Sequence, residues 1–174
     1  MSDTEDAYAE TLDADLHEIR GALFDDTLAV LSPPDPICLG DMVSVQDAVD
    51  AMVARRQAGV LVVDAGTRLI GIFTERDVLR RVVGQGLDPR RTPIGQVMTR
   101  DPQALRLRDR VAHALHSMSV AGYRTVPIVD EVGRPVGVVT GSDVIRWLAD
   151  LFPEEVLNLP PGDRIKNPEQ IDAG

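Results

Sequence analysis

The run GIFTERD at residues 71–77 recurs 66 positions later as GVVTGSD at residues 137–143. Both runs carry Gly, Thr and Asp at the same three places. The match extends on either side without a gap: between residues 36–83 and 102–149, 14 of 48 aligned pairs are identical. An internal repeat of this length indicates two copies of one structural unit.

Each copy predicts a β-α-β-β-α unit. After a short extended stretch, apolar residues recur at helical spacing from Val45 in copy one and from Val111 in copy two, and Ser44 is a candidate N-cap. Two apolar strands and a closing helix follow, at 60–64, 69–74 and 75–83 in copy one and at 126–130, 135–140 and 141–149 in copy two. A unit of about 50 residues is near the lower limit for folding alone. We therefore expect an α/β fold in which two repeats pack as a pseudo-symmetric pair and share a core.

The repeats divide the chain into five segments. The ends are acidic, and in residues 8–24 the apolar residues recur at helical spacing, which favours a helix. The predicted segments are an acidic N-terminal extension (1–26), the first repeat (27–84), a linker (85–92), the second repeat (93–151) and an acidic, proline-containing tail (152–174).

Charge and composition exclude several classes of protein. The formal net charge of −10 is −9 in residues 1–35, +3 in residues 36–149 and −4 in residues 150–174. The acidic ends fit a role in solubility. The mildly basic middle suits a small anionic ligand and is too weak for a nucleic-acid surface. No apolar stretch is long enough to span a membrane, and the single cysteine, Cys38, excludes an internal disulfide. We expect a cytoplasmic protein.

The repeat resembles the CBS domain, named for cystathionine beta-synthase, which occurs in tandem pairs called Bateman modules. The residues that carry the resemblance are VMTRDP at 97–102, RTVPIVD at 124–130 and the two Gly-x-x-Thr-x-x-Asp runs. The resemblance implies a stand-alone regulatory module that binds an adenosyl ligand (AMP, ADP, ATP, S-adenosylmethionine or NAD) in clefts between the repeats. It also implies signalling to an unidentified protein partner, a role such as energy sensing, and no obligatory cofactor.

The resemblance also implies site residues. The ribose-binding candidates are Thr74, Asp77, Thr140 and Asp143. An Asp carboxylate suits ribose because it can accept hydrogen bonds from both hydroxyl groups. The phosphate-binding candidates are Arg124, Arg76 and Arg146. Contacts to the base or from the loops are expected from Ser32, Thr99, Val60 and Val126.

A cleft of this family draws on both repeats, which implies a grouping of these residues. One cleft should combine Arg124, Thr140 and Asp143 with the Ser32 loop and the Val60 strand. The other should combine Thr74 and Asp77 with the Thr99 loop and the Val126 strand. Because Ala58 occupies the place in copy one that Arg124 occupies in copy two, we expect the cleft of Arg124 and Asp143 to bind a phosphorylated ligand more tightly.

An alternative without a ligand fits the same residues. Thr-x-x-Asp at a strand-to-helix junction also forms a capping box, and Arg124 could pair with surface acids. The module would then be a scaffold that acts through dimerisation. We expect a homodimer that docks through helices 45–57 and 111–121 or through the closing helices. No catalytic triad, metal cluster or phosphate-binding loop is evident, so neither catalytic nor metal-binding residues are predicted.

Overall fold

The structure is a computed structural model that describes residues 21–151. Most of the helix predicted at 8–24 lies outside the described residues, as does the tail 152–174. Residues 21–25 are helical.

Repeat 1 follows the predicted order of elements. Its strands and helices are β1 (Cys38–Gly40), α1 (Val45–Arg55), β2 (Gly59–Val63), β3 (Leu69–Thr74) and α2 (Glu75–Asp77), followed by a short helix α3 (Ile94–Val97) and strand β4 (Thr99–Arg100). The predicted cap of α1 is confirmed, because the Ser44 hydroxyl accepts a hydrogen bond from Asp47 N at 3.1 Å.

Repeat 2 has the same plan with a shorter first strand. Its elements are α4 (Val111–Ala121), β5 (Thr125–Val129), β6 (Pro135–Thr140) and α5 (Gly141–Leu151). The expected first strand is reduced to one parallel bridge between Leu105 and Ile128. This bridge is the counterpart of the Leu39–Val62 pair between β1 and β2. The expected α/β fold, built from two related units, is confirmed.

The sheet of repeat 1 is completed by a strand that the sequence assigns to repeat 2. The sheet has the order β1-β2-β3-β4, with β1 parallel to β2 and the other pairs antiparallel. Strand β4 pairs with β3 through Gly71–Arg100 and Ile72–Thr99. Strands β5 and β6 form a separate antiparallel pair.

The first residues of each repeat pack into the core of the other repeat. Leu28, which is fully buried, lies with Ile128, Val139 and other apolar residues of repeat 2. Ile94, 66 positions later, is also fully buried and lies with Phe73 and other apolar residues of repeat 1. This exchange joins the two repeats into one unit, as the small size of each repeat leads us to expect.

Close packing at this exchange requires the glycine of each Gly-x-x-Thr-x-x-Asp run. A β-carbon on Gly137 would lie 2.8 Å from Cβ of Pro33, near the start of repeat 1. A β-carbon on Gly71 would overlap the side chain of Met98, near the start of repeat 2. The repeated glycines therefore let the strands β3 and β6 approach the chain of the other repeat.

The closing helix of repeat 1 differs from the regular helix expected over 75–83. It continues from α2 as a π-helix (Val78–Val82) and a 3-10 turn (Val83–Gln85). The helix ends at Gln85, two residues beyond the predicted end at 83, and Gly86, with a φ of 65°, is its C-cap. A π-helical turn in one of two otherwise matched helices is a frequent mark of a functional site.

Candidate functional site

A cleft of about 720 Å³ lies between the two repeats. One wall is formed by the end of β3, by α2 and by the helical turn that follows α2. The other wall is formed by residues near the start of the second repeat and by residues at the start of β5. Its lining residues are Ala58, Ile72, Thr74, Glu75, Arg76, Asp77, Leu79, Arg80, Arg81, Thr99, Pro102, Gln103, Tyr123, Arg124, Thr125 and Pro127. We call it the Thr74 cleft.

Thr74 and Asp77 are joined by a capping box at one end of this cleft. Asp77 Oδ2 accepts hydrogen bonds from Thr74 N at 2.9 Å and from Thr74 Oγ1 at 2.8 Å. The Thr74 side chain in turn accepts from the backbone N–H of Asp77. Asp77 is buried, and its Oδ1 lies 3.3 Å from Nε of Arg81. The alternative raised by the sequence, a helix cap, is therefore present.

Repeat 2 reproduces this geometry. Asp143 Oδ2 accepts from Thr140 N at 2.8 Å and from Thr140 Oγ1 at 2.7 Å, and Asp143 N donates to Thr140 Oγ1 at 3.3 Å. Arg146 Nη1 lies 3.4 Å from Asp143 Oδ1. We call Thr140, Asp143 and Arg146 the Asp143 site.

The capping box leaves only acceptor capacity on both residues. An ionised carboxylate accepts but cannot donate, so the hydroxyl proton of Thr74 must point to Asp77. One lone pair of the Thr74 hydroxyl and part of Asp77 Oδ1 remain for another partner. A ligand at this end of the cleft must therefore donate hydrogen bonds, as a ribose diol does, whereas a phosphate oxygen would be repelled.

Arginines dominate the charge elsewhere in the Thr74 cleft. Arg76, Arg80, Arg81 and Arg124 all line it, against the two acids Glu75 and Asp77. Two of the arginines already have partners, since Arg76 Nη1 donates to the Gly122 carbonyl at 3.0 Å and Arg81 Nη1 donates to the Val97 carbonyl at 2.9 Å. Both of these hydrogen bonds link the closing helix of repeat 1 to the chain that follows the linker.

The position of Arg124 corrects the expected grouping. The sequence assigned Arg124 to the cleft of Thr140 and Asp143, but the structure places it on the wall of the Thr74 cleft. Its carbonyl accepts a hydrogen bond from Gly141 N at 3.1 Å, so its backbone does touch the helix that carries Asp143. Arg124 lies immediately before β5. Its backbone contacts the start of α5, and its side chain lines the Thr74 cleft. Comparison of the repeats alone could not place its side chain.

The contacts expected from Val60 in the cleft of Asp143 and from Val126 in the Thr74 cleft stay predictions. Both side chains are buried, at 0% and 1% exposure, and the side chain of Val126 is not among those that line the Thr74 cleft. Successive side chains of a strand point to opposite faces, so the neighbours Thr125 and Pro127 line the cleft instead.

The two expected loop residues have different outcomes. Thr99 lines the Thr74 cleft, in the expected company of Thr74 and Asp77. Ser32 is exposed, with a φ of 45°, next to the Pro33 that faces Gly137. The structure thus brings the Ser32 loop close to strand β6.

Several residues that line the cleft were not identified by the sequence analysis. Tyr123 supplies an aromatic ring, and the apolar side chains of Ile72 and Pro102 accompany it. Comparison of the repeats did not identify Arg81 as a cleft residue, because its counterpart in repeat 2 is Trp147, which packs against the apolar core. The run of two arginines at 80–81, beside the single Arg146, was the available signal.

Two further classes of site were sought in residues 21–151. No three side chains among His, Cys, Asp and Glu come together there as a metal site would need. Within the same part of the chain, none of the helices has the length and hydropathy that a bilayer span requires.

Comparison with known proteins gives several relatives. The Meiotically up-regulated gene 70 protein of Schizosaccharomyces pombe is 34% identical over 109 residues, which are 63% of this chain and 15% of that protein. A solved conserved protein from Pyrococcus horikoshii is 25% identical with a TM-score of 0.65, over 71% of this chain and 92% of that one. This chain spans between 15% and 65% of the lengths of the first curated relatives that it matches.

The CBS domain pair of protein MJ0100 is similar as well. It is 26% identical with a TM-score of 0.65, over 74% of this chain and 98% of that one, and it was solved with 5′-methylthioadenosine and S-adenosyl-L-methionine. The family model for the CBS domain matches twice, at residues 30–84 and 94–150. These two matches coincide with the two structural repeats, and the chain belongs to the CBS domain family, as a tandem CBS pair.

Proposed function

We propose that this CBS pair is a regulatory module that binds an adenosyl ligand between its repeats and passes the binding event to a protein partner. The observation that carries the proposal is the division of the Thr74 cleft into an acceptor end and a basic end. Thr74 and Asp77 offer acceptors to a ribose diol, and the arginines suit an anionic group. Tyr123, Ile72 and Pro102 provide apolar contact for a base.

Two further points support an adenosyl ligand. The cleft volume of about 720 Å³ is in the range of small-molecule sites. The similar CBS pair of protein MJ0100 was solved with two adenosyl compounds. A regulatory rather than a catalytic role fits a site whose only buried acid, Asp77, is already held by Thr74 and Arg81.

A homodimer is part of this proposal. Each of the two repeats exposes large apolar side chains on its helices: Val53 on α1, Leu79 in the π-helix, Val120 on α4 and Ile145 on α5, all between 66% and 72% exposed. Leu79 and Ile145 are equivalent positions of the two closing helices. An apolar surface present on the helices of both repeats suits association with a second copy.

A second candidate function is a scaffold that binds no nucleoside. The capping boxes favour it, because the hydrogen bonds of Thr74 and Asp77 would be kept for helix stability alone. The two candidates differ in whether the cleft binds a ligand.

A thermal-shift panel tests the proposal. Adenosine, AMP, ADP, ATP and S-adenosylmethionine are each added to the full chain, with 2′-deoxyadenosine as the control for the diol. A ligand at about 100 times its dissociation constant adds about 2.7 kcal/mol to the free energy of unfolding. For a chain of this size, that raises Tm by about 5–10 °C. A panel in which no compound raises Tm would favour the scaffold.

A further inference from the structure

Arg81 ties the closing helix of repeat 1 to two places at once. Its Nε lies 3.3 Å from Asp77 Oδ1, and its Nη1 donates a hydrogen bond to the Val97 carbonyl at 2.9 Å. Asp77 lines the Thr74 cleft, whereas Val97 is the last residue of α3 and is buried in the core of repeat 1. One guanidinium therefore joins a residue of the cleft to the chain that begins repeat 2.

Repeat 2 has an equivalent closing helix without this tie. The two closing helices, 75–85 and 141–151, are equally long and are 66 residues apart. Trp147 takes the place of Arg81 and packs against the apolar core. The second helix is α-helical throughout, whereas Val78–Val82 of the first is a π-helix. Because the lengths are equal, the difference in helical register goes with the tie of Arg81 and not with an inserted residue.

The backbone at the end of the π-helix is bonded in both registers. The Val83 N–H donates to the Leu79 carbonyl, four residues back as in an α-helix, and to the Val78 carbonyl, five residues back as in a π-helix. A turn that shares one N–H in this way lies between the two hydrogen-bond patterns. The loss of a single side-chain tie can therefore bias it toward one of them.

A ligand that donates to Asp77 competes with Arg81. Asp77 Oδ2 already accepts from N and Oγ1 of Thr74, so acceptor capacity for a new donor remains on Oδ1, the oxygen beside Arg81. The side chain of Arg81 is 45% exposed, and ion pairs open to solvent are weak. A ribose hydroxyl at Oδ1 can therefore displace the guanidinium into water.

The turn that Arg81 holds separates the Thr74 cleft from an exposed apolar groove. This groove, of about 560 Å³, lies between α1 and the closing helix of repeat 1. Ala58, Glu75 and Leu79 line both the cleft and the groove. Leu79 and Val83 are 66% and 67% exposed. A change of register in this turn would therefore move apolar side chains on the surface of the protein.

We propose that Arg81 and the π-helix form a switch: a ligand that takes Asp77 releases Arg81, and the turn 78–85 passes to the α-helical register of α5, which moves Leu79 and Val83. This inference rests on the proposed function for the ligand. It goes beyond that function because it names a positioning residue, which acts through Asp77, and the element that carries the binding event out of the cleft.

Calorimetric titration of the full chain with adenosine is the first test. Adenosine is the probe because it has no phosphate to attract the arginines. If adenosine must displace Arg81, Arg81→Gln should bind it about fivefold more tightly, which is the low end of the usual coupling between sites. Arg55→Gln is the matched control, since Arg55 Nη2 donates to the Asp35 carbonyl at 3.1 Å and Arg55 lies outside the lining of both cavities. This control should bind adenosine as the unmodified chain does.

NMR of the same proteins is the second test. The amide shifts of Val83, Gly84 and Gln85 report the register, because these residues lie outside the lining of the Thr74 cleft. Adenosine should change these shifts in the unmodified chain and in Arg55→Gln. In Arg81→Gln without ligand they should already lie near the liganded values, and adenosine should add little. Arg81→Lys keeps the charge but has no guanidinium to reach both partners, so it should behave alike and replaces Arg81→Gln if that variant does not fold.

The outcomes separate the switch from the proposed function. Weaker adenosine binding in Arg81→Gln would make Arg81 a simple ligand contact and overturn the switch. Unchanged shifts of Val83, Gly84 and Gln85 in an unmodified chain that binds adenosine would also overturn it, and both results would leave the proposed function in place. A chain that binds no compound of the thermal-shift panel would defeat the proposed function and the switch together.

Discussion

Asp77 Oδ2 accepts two hydrogen bonds from Thr74, one from N at 2.9 Å and one from Oγ1 at 2.8 Å. The same atoms of Asp143 and Thr140 are 2.8 and 2.7 Å apart. One residue pair therefore has two separable roles, in capping a helix and in presenting acceptors to the cleft. Substitutions that keep one role and remove the other distinguish them.

Asp77→Asn should weaken adenosine binding and lower stability. An amide nitrogen replaces one acceptor, and loss of a helix cap costs about 1 kcal/mol. The free energy of unfolding from urea titration and the affinity for adenosine are measured on the same sample. Thr74→Ser is the control, since it keeps the hydroxyl. Full adenosine affinity in a destabilised Asp77→Asn would leave only the capping role.

Gly137→Ala should destabilise the contact between the repeats. The added β-carbon would lie 2.8 Å from Cβ of Pro33, and overpacking of this kind costs about 1–3 kcal/mol. Gly141→Ala is the matched control, because a β-carbon there meets nothing within 4 Å. Urea unfolding of the two variants gives the comparison. Equal stability in both would show that the Pro33 segment moves without cost.

Removal of the N-terminal extension should have a cost that depends on where the cut is made. Because the repeats begin after residue 26, the sequence alone predicts that residues 1–26 are dispensable for folding of the core. In the structure, however, Leu23 packs against the core of repeat 2 and the Asp26 carbonyl accepts a hydrogen bond from Val111 N at 3.0 Å. We expect a chain starting at Thr27 to be less stable than one starting at Gly21, by about 1–2 kcal/mol. Urea unfolding of both chains measures the difference, and identical midpoints would refute the role of these residues.

Acid should remove a contribution of Asp130 to stability. The hydrogen bond from Arg134 N, and then that from Val132 N, hold the pKa of Asp130 below its ordinary value. Since the folded-state pKa is the lower one, the contribution is fully present above the unfolded pKa of about 4 and is lost as pH falls through the folded pKa.

Asp130→Asn keeps the acceptor oxygen and removes this titration. Between pH 5 and pH 2.5, roughly the range in which such a group titrates, the unmodified chain should lose more stability than Asp130→Asn. Urea midpoints at several pH values measure the loss. Parallel pH profiles for the two proteins would contradict the assignment.

A charge in the exposed apolar helix surface should abolish the proposed homodimer. Leu79 and Ile145 are 66% and 68% exposed on the closing helices, and burial of a glutamate in an apolar interface is costly. Light scattering at micromolar concentration should give a dimer mass for the unmodified chain and a monomer mass for Leu79→Glu with Ile145→Glu. Val132→Glu, in a turn and 52% exposed, is the control and should remain a dimer. A monomer mass for the unmodified chain would defeat the proposal.

The sequence by itself determined the two repeats and nearly all of their elements. Local periodicity can be recognised without knowledge of the fold. It gives the 66-residue offset, the helical spacing after Ser44 and Arg110, and the paired apolar strands. The Thr-x-x-Asp pairs were predictable for the same reason, because a capping box joins residues only three apart.

Only the tertiary structure decided which residues share a cleft. The exchange that buries Leu28 in repeat 2 and Ile94 in repeat 1 joins segments far apart in the chain, and the repeat comparison gives no rule for which unit receives them. The placement of Arg124 beside Thr74, and of Arg81 rather than Trp147 at a cleft, depends on strand direction and on the π-helix after Asp77. Equivalent positions of a repeat share backbone geometry, but the faces that their side chains meet are fixed only when the two copies pack together.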